Sequence, residues 1–239
     1  MTVELSFKTI VNAIEDRLKI HVLTHEYEIV ACFFDHFELT AQQISHYCRS
    51  SSTTFYTSLK RLEARGVLES APHPEDGRRR LYRLSRYSLD VIHEDKASVS
   101  TWFNPDTYLT APENDLLKRF SANIKCKLHV RHLTCDYQIL IYLFGKSGLS
   151  NIEFTDLVDV SITKFNASLK KLTEMGLIFS EQDSTDKRCK RYYLTEQTHR
   201  VIDEGQKLVS QWVALRTSAP DSGWGCDGPA SVRAPAGAI

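Results

Sequence analysis

The most informative hydrophobic pattern in this chain lies in residues 51–84. Phe55, Leu59 and Leu62 fall on one face of a helix at positions i, i+4 and i+7, and the opposite face is polar. Gly66 is expected to end this helix, because glycine readily adopts the positive φ found at helix ends. An apolar run, a turn rich in proline and glycine, and an alternating segment then predict two antiparallel strands. Helix, strand, turn and strand in this order predict a winged helix.

The same pattern occurs a second time, 110 positions further along the chain. Phe55 corresponds to Phe165, and this offset relates identical residues in both halves without a gap. The identical pairs include Leu23 and Leu133, Tyr27 and Tyr137, Leu62 and Leu172, Gly66 and Gly176, Asp76 and Asp186, Arg78 and Arg188, and Tyr82 and Tyr192. So many identities at one offset indicate a duplicated domain. The predicted fold is mainly α with small β-wings (α+β), as two tandem winged helix-turn-helix domains in residues 1–104 and 105–217.

The flanking helices are also predicted in pairs. Each second helix follows a threonine, Thr24 or Thr134, and is strongly apolar, so it is expected at the centre of the core. The predicted first helices cover about 5–22 and 114–131, capping boxes open the third helices at 40–43 and 150–153, and the closing helices run to about 100 and 215.

Two segments lack a helical or strand pattern. Residues 102–113 contain Pro105 and Pro112 and are predicted to form a stiff linker. Residues 218–239 are rich in Ala, Pro, Gly and Ser and are predicted to be a disordered tail. No function is assigned to this tail.

The charge of the chain is balanced overall but not locally. There are 30 basic and 30 acidic side chains, so the net charge does not indicate a nucleic-acid partner. Between residues 73 and 86, however, five arginines accompany only two acidic residues. Apolar and charged contents of 42% and 25% are those of an ordinary globular protein, and no apolar run could span a bilayer. A cytoplasmic location without membrane contact is therefore expected.

Each half resembles the MarR family of bacterial transcription regulators. In that family the recognition helix ends in Leu-Glu-x-x-Gly-Leu/Val, which is found here at 62–67 and, with Thr173 in place of Glu, at 172–177. The family's wing carries Asp-Arg-Arg before a strand that ends in Leu-Thr. The corresponding residues here are Asp76-Gly77-Arg78 before Leu84-Ser85, and Asp186-Lys187-Arg188 before Leu194-Thr195.

The resemblance covers about residues 5–215 and implies a DNA-binding transcription regulator that acts as a repressor. A typical MarR protein is one winged helix domain that dimerises through its terminal helices. Two copies in one chain imply a monomeric intramolecular pseudo-dimer or a homodimer of such chains. The family also implies a small-molecule effector between the terminal helices and the winged core. An aromatic-rich region of Tyr27, Phe33, Trp102 and Tyr137 is nevertheless more typical of a core. No cofactor is expected.

The residues expected to contact double-stranded DNA lie on the recognition helices and wings. Thr54, Tyr56 and Thr57, with Lys164 and Asn166, are candidates for reading base edges, and asparagine can bind adenine through two hydrogen bonds. The wing arginines are expected at a minor groove, oriented by the aspartate before them, and the remaining side chains at phosphates. The full predicted set is Ser51, Ser52, Thr54, Tyr56, Thr57, Lys60, Arg78, Arg79, Arg80, Ser161, Thr163, Lys164, Asn166, Lys170, Lys187, Arg188 and Lys190.

Both halves depart from the family pattern at positions that read DNA. The first wing arginine of the family is Gly77 or Lys187 here, and an arginine common in the middle of its recognition helix is Thr57 or Ala167. Because the two reading faces differ, two unlike half-sites are predicted, with centres about 34–36 Å apart.

Other chemistry has less support in the sequence. His21 and His25, like His129 and His132, have metal-ligand spacing, but no further ligand completes a set, so no metal site is predicted. Cys189 lies among basic residues, which would lower the pKa of its thiol, and a redox switch there is a secondary hypothesis. No catalytic motif is present, so an enzyme is not expected. The alternatives to a regulator are a replication initiator and a tandem winged-helix protein-docking module.

Overall fold

The computed structural model describes residues 6–92, 113–146, 148–158, 160–184 and 186–217. Most of the predicted linker, the predicted tail, Trp102 and the end of the first closing helix therefore lie outside the described residues. The fold is a helix-rich α+β arrangement with two small sheets.

Helices and strands follow one another in the same order in both halves. The first half contains α1 (Phe7–Leu18), α2 (His25–Cys32), β1 (Leu39–Thr40), α3 (Ala41–Tyr47), α4 (Ser52–Ala64), β2 (Leu68–Pro72), β3 (Arg80–Leu84) and α5 (86–92). The second half contains α6 (Glu113–Leu128), α7 (Cys135–Gly145), β4 (Leu149–Ser150), α8 (Asn151–Thr155), α9 (Ile162–Glu174), β5 (Ile178–Gln182), β6 (Lys190–Leu194) and α10 (Glu196–Thr217).

Each half contains a three-stranded antiparallel sheet. The strand order is β1-β3-β2 in the first sheet and β4-β6-β5 in the second. Ser70 pairs with Tyr82, and Ser180 pairs with Tyr192, so the two hairpins have the same register. The predicted hairpins are confirmed, whereas the two-residue strands β1 and β4 are too short to leave an alternating pattern in the sequence.

The predicted capping boxes and helix-ending glycines are confirmed. Thr40 and Ser150 open α3 and α8 as capping boxes, each with both hydrogen bonds formed. Gly66 and Gly176 follow the recognition helices with φ of +70° and +67°. These are left-handed conformations that residues with a Cβ atom rarely adopt, which is why glycine is needed there.

The first helix of each half is shorter than predicted. Helix α1 ends at Leu18 rather than near 22, because Lys19 turns into a left-handed conformation (φ 56°) and its N–H bonds to the carbonyl of Glu15. Helix α6 ends at Leu128, and His129 has φ 53°. The residues that follow lead into the junction between the two halves.

The three described residues of the aromatic-rich region are buried, as predicted for a core. Tyr27, Phe33 and Tyr137 are 5%, 3% and 6% exposed. On the second helices α2 and α7, Ile29 and Ile139 are fully buried, which confirms their predicted central position.

The two halves are joined by reciprocal backbone hydrogen bonds. The N–H of Thr24 donates to the carbonyl of His132 at 3.0 Å, and the N–H of Thr134 donates to the carbonyl of Val22 at 3.0 Å. Leu23 and Leu133 form an antiparallel bridge between these bonds. Each residue of one bond is 110 positions from the equivalent residue of the other. Exchange of equivalent contacts in this way is the pattern of an isologous interface.

Two side-chain hydrogen bonds at the same junction are also related by the offset of 110. The Thr24 hydroxyl donates to the carbonyl of Arg131, and the Thr134 hydroxyl donates to the carbonyl of His21. Both threonines also cap the helix that follows them, since each hydroxyl accepts an N–H from the first turn of α2 or α7. The residues that start the central helices therefore also connect the halves.

Helix α1 packs along α10, so the two ends of the described chain meet. Phe7 and Trp212 have ring centroids 5.1 Å apart. A Cβ atom added at Gly205 would lie 2.6 Å from Cδ1 and 2.9 Å from Cγ1 of Ile14. Ile14 is only 5% exposed, so it has little space into which to move.

Gly205→Ala is expected to lower the free energy of unfolding by about 1–2 kcal/mol, because overpacking against Ile14 outweighs the roughly 1 kcal/mol that alanine normally contributes to a helix. Urea denaturation followed by circular dichroism measures this change. In an Ile14→Ala background the same substitution should be neutral or stabilising, since the opposing atoms are gone. An equal loss in both backgrounds would contradict close packing of the two helices here.

Candidate DNA-binding surface

The recognition helices α4 and α9 are held by matching buried faces. Phe55 and Phe165 are 1% and 3% exposed, and each lies in the first turns of its helix. The hydroxyls of Ser51 and Ser161 accept the N–H of the third helical residue and cap the two helices. Neither first turn carries an acidic side chain, so the positive end of each helix dipole is not neutralised. Both helix starts can therefore approach a phosphate.

The residues predicted to contact DNA all lie at the surface. Thr54 is half-buried, and the other members of the predicted set are exposed. Tyr56 is 50% exposed, and its ring packs edge-on against Phe55 with centroids 5.0 Å apart. The hydroxyl of Thr57 donates to the carbonyl of Thr53 at 2.8 Å, which leaves its methyl group and oxygen lone pairs for a partner.

The aspartate of each wing organises the backbone of the turn. Asp76 accepts the N–H of Arg78 at 3.1 Å, and Asp186 accepts the N–H of Arg188 at 2.9 Å. The guanidinium beside Asp76 is that of Arg79, at 3.2 Å. The aspartates thus position the predicted arginines through the main chain, and Asp76 also binds the neighbouring side chain.

The basic side chains of the wings differ in their partners. Arg80 donates to the Ser70 hydroxyl at 2.9 Å and lies 3.6 Å from the carboxylate of Glu63, so it is held against strand β2 and helix α4. Arg78 and Arg188 have exposed side chains that form no ion pair with the described residues. These two arginines can therefore turn toward an anion without breaking an existing contact.

The lysines of the recognition helices show a similar division. Lys170 lies 3.8 Å from Glu174 on the same exposed helix face. Lys60 and Lys164 are exposed and have no ion-pair partner in the part of the chain that the structure describes. An exposed pair one helical turn apart is weak, so Lys170 can also exchange Glu174 for a phosphate.

These two recognition helices and wings can be compared with known proteins. Residues 137–198 match the family described as a winged helix DNA-binding domain. This match lies entirely within the second half of the chain. The matched range runs from α7 into the first turn of α10 and includes both α9 and the second wing. No curated protein matches the chain.

Several solved structures are similar to parts of the chain. A crystal structure of MarR is 20% identical and covers 44% of this chain and 80% of its own, with a TM-score of 0.30. A MarR transcriptional regulator from Methanosarcina mazei Go1 is 16% identical and covers 56% and 78%, with a TM-score of 0.32. Reduced AbfR bound to DNA is 17% identical and covers 44% and 75%, with a TM-score of 0.30.

The second winged helix contains an ion pair that the sequence pattern did not reveal. Arg191 on β6 lies 2.5 Å from the buried carboxylate of Asp183 and donates to the carbonyl of Gly148 at 2.6 Å. Its counterpart in the first half is the apolar Leu81. Comparison of the two halves therefore does not indicate an ion pair at this position. Arg191 stabilises the base of the second wing, whereas Arg188 at its tip forms no ion pair with any residue that the structure describes.

The thiol of Cys189 does not have the lowered pKa that its basic neighbours predicted. It donates to the carboxylate of Asp186 at 3.4 Å. This hydrogen bond, followed by desolvation and the negative charges of Asp186 and Asp183, raises the pKa of Cys189. The prediction of a lowered pKa was wrong, because the group that is hydrogen-bonded to the sulfur is a carboxylate. A redox switch at Cys189 therefore loses its chemical basis.

The histidines with metal-ligand spacing occupy different environments. His21 and His25 have ring centroids 6.0 Å apart, whereas His132 is 4% exposed and burial lowers its pKa to about 3. Among the described residues, no group of three or more His, Cys, Asp or Glu side chains is placed to hold a metal ion. None of the described helices has both the length and the apolar character needed to cross a membrane.

Proposed function

We propose that this protein is a sequence-specific transcription regulator that binds double-stranded DNA as an intramolecular pseudo-dimer of two winged helices. The observation that supports this proposal most strongly is the reciprocal junction at Thr24 and Thr134. It relates the recognition helices α4 and α9 to each other as equivalent parts of one chain. Each recognition helix would enter a major groove, and each wing would place Arg78 or Arg188 at the neighbouring backbone or minor groove.

The two half-sites of this proposed operator are unlike. Equivalent exposed positions carry Tyr56 and Asn166, followed by Thr57 and Ala167. Asparagine suits adenine, whereas tyrosine and threonine offer hydroxyl and apolar contacts. One chain can therefore read a non-palindromic site. A homodimer of identical domains would instead present two identical faces to a palindrome.

Repression by occupation of promoter DNA is the regulatory action we propose. Binding by one chain would cover two successive major grooves on one face of the duplex. Such a site overlaps the region that a transcribing enzyme must contact, so occupancy alone is sufficient. A small-molecule effector would act by changing the angle between the two winged helices.

Selection of bound sequences from a random duplex library tests the proposal. The expected result is an asymmetric site with half-site centres about 10 base pairs apart, bound by one chain. Light scattering on the purified complex gives the number of chains per duplex. A perfect palindrome bound by a single chain would contradict the assignment of different bases to α4 and α9. Weak binding that is independent of both sequence and salt would instead favour a protein-docking role.

A further inference from the structure

Four large apolar side chains are exposed on the second winged helix where the first has polar ones, and the two most exposed are Ile152 and Ile162. Ile162 is 67% exposed, and its counterpart 110 positions earlier is Ser52. Ile152 is 71% exposed, and its counterpart is Gln42. Single exposed apolar residues are common on protein surfaces, so their positions must decide whether they have a role.

Ile162 occupies a position that the fold does not need to be apolar. It is the first residue of α9, directly after the capping Ser161. The core face of this helix begins only at Phe165, which is 3% exposed. A β-branched residue has a lower helix propensity than many polar alternatives, and the equivalent Ser52 starts α4 equally well. Stability of the helix therefore does not account for isoleucine here.

The surroundings of Ile162 are those of a surface that faces DNA. Asn166 lies one turn further along α9, so the two side chains are neighbours at i and i+4. Lys164 is exposed in the same first turn, which lacks acidic side chains. A side chain with these neighbours would enter the major groove together with Asn166.

We infer that Ile162 recognises the 5-methyl group of a thymine in the major groove of the second half-site. The thymine methyl is the apolar group that distinguishes this base in the major groove, and apolar side chains are its usual contacts. The inference rests on the proposed DNA-binding function and adds a specific base to it. Because residues at i and i+4 are about 6 Å apart and base pairs rise by 3.4 Å, this thymine should lie within two base pairs of the base read by Asn166.

Deoxyuridine provides the test, since it differs from thymidine only by the missing methyl group. Each thymine of the selected duplex is replaced in turn, and the affinity of the full chain is measured by fluorescence anisotropy. At one position the wild-type protein should bind about fourfold to tenfold more weakly to the deoxyuridine duplex. For Ile162→Ser, which installs the residue of the first half, that position should show no difference between the two bases.

Ile152→Gln is the matched control, because it removes an equally exposed isoleucine from α8 rather than from the recognition helix. This variant should keep the wild-type response to deoxyuridine. Circular dichroism establishes that each variant is folded, and Ile162→Gln replaces the serine variant if the latter unfolds.

Three outcomes would overturn the inference. The first is a selected site in which no thymine shows a methyl-dependent affinity. The second is a deoxyuridine penalty that persists in Ile162→Ser, and the third is a penalty that Ile152→Gln also abolishes. Failure of the wild-type chain to select any duplex is a different result, because it contradicts the proposed function itself.

Discussion

Replacing Arg78 and Arg188 together by alanine should lower the affinity for the selected duplex about 100-fold at 0.15 M salt. Both side chains are exposed at the wing tips and have no ion-pair partner within the described structure. A hydrogen bond to a charged group contributes about 1.5 kcal/mol, and loss of two such contacts corresponds to about two orders of magnitude in Kd. The slope of log Kd against log salt concentration should also fall by about 1.8, at about 0.9 per phosphate contact.

Arg83→Ala is the control for this experiment. Arg83 is an arginine of the same wing hairpin, but its guanidinium lies 3.3 Å from Glu69 and 3.7 Å from Glu38. Its charge is therefore already compensated, and the variant should bind within about twofold of wild type. If Arg83→Ala reduced the affinity as much as the double variant, the effect would come from general charge rather than from the wing tips. Anisotropy titrations at three or more salt concentrations distinguish these results.

Lowering the pH from 7.5 to 4.5 should destabilise the wild-type protein by about 3 kcal/mol more than it destabilises His132→Val. Burial lowers the pKa of His132 to about 3 in the folded chain, whereas the unfolded chain binds the proton near pH 6.5. Between about pH 3 and about pH 6.5 the unfolded state binds more protons than the folded state. The stability that the neutral His132 contributes is therefore fully present above about pH 6.5 and is lost as the pH falls. Valine is the residue at the equivalent position of the first half, Val22, and has no titrating group.

Urea denaturation at a series of pH values measures this difference. His25→Val is the control, because it replaces an exposed histidine at the start of α2 by the same residue. Equal pH dependence in wild type and His132→Val would contradict burial of a neutral imidazole at the junction. The carbonyl of His132 accepts the N–H of Thr24, so acid should also weaken the connection between the two halves.

Much of the fold follows from local rules that the sequence states directly. The capping boxes at Thr40 and Ser150 need only a hydroxyl and a partner three residues later. Gly66 and Gly176 adopt positive φ because glycine lacks the Cβ atom that forbids it. Buried faces, hairpins and the aromatic core were predictable in the same way, since each depends on the periodicity of apolar residues. Trp102 and the linker lie outside the residues that could test those predictions.

The partners of several charged and polar groups in the wings were not predictable, because they depend on how each turn folds and not on residue type alone. The sequence places Cys189 among bases, but the thiol bonds to Asp186, and its pKa rises instead of falling. Arg79 and Arg80 look equivalent to Arg78 in sequence. The structure pairs Arg79 with Asp76 and Arg80 with Ser70, and leaves Arg78 available.

The sequence by itself determined the repeated order of helices and strands, helices α4 and α9, and the exposed residues that differ between these two helices, because each of these is a matter of spacing along the chain. Only the tertiary structure decided where α1 and α6 end and how the halves meet. Helix α1 stops at Leu18, where Lys19 turns into a left-handed conformation, and the residues that follow hydrogen-bond across the junction. The end of this helix balances helical hydrogen bonds against hydrogen bonds to residues 107 to 113 positions away, and no local pattern records such a balance.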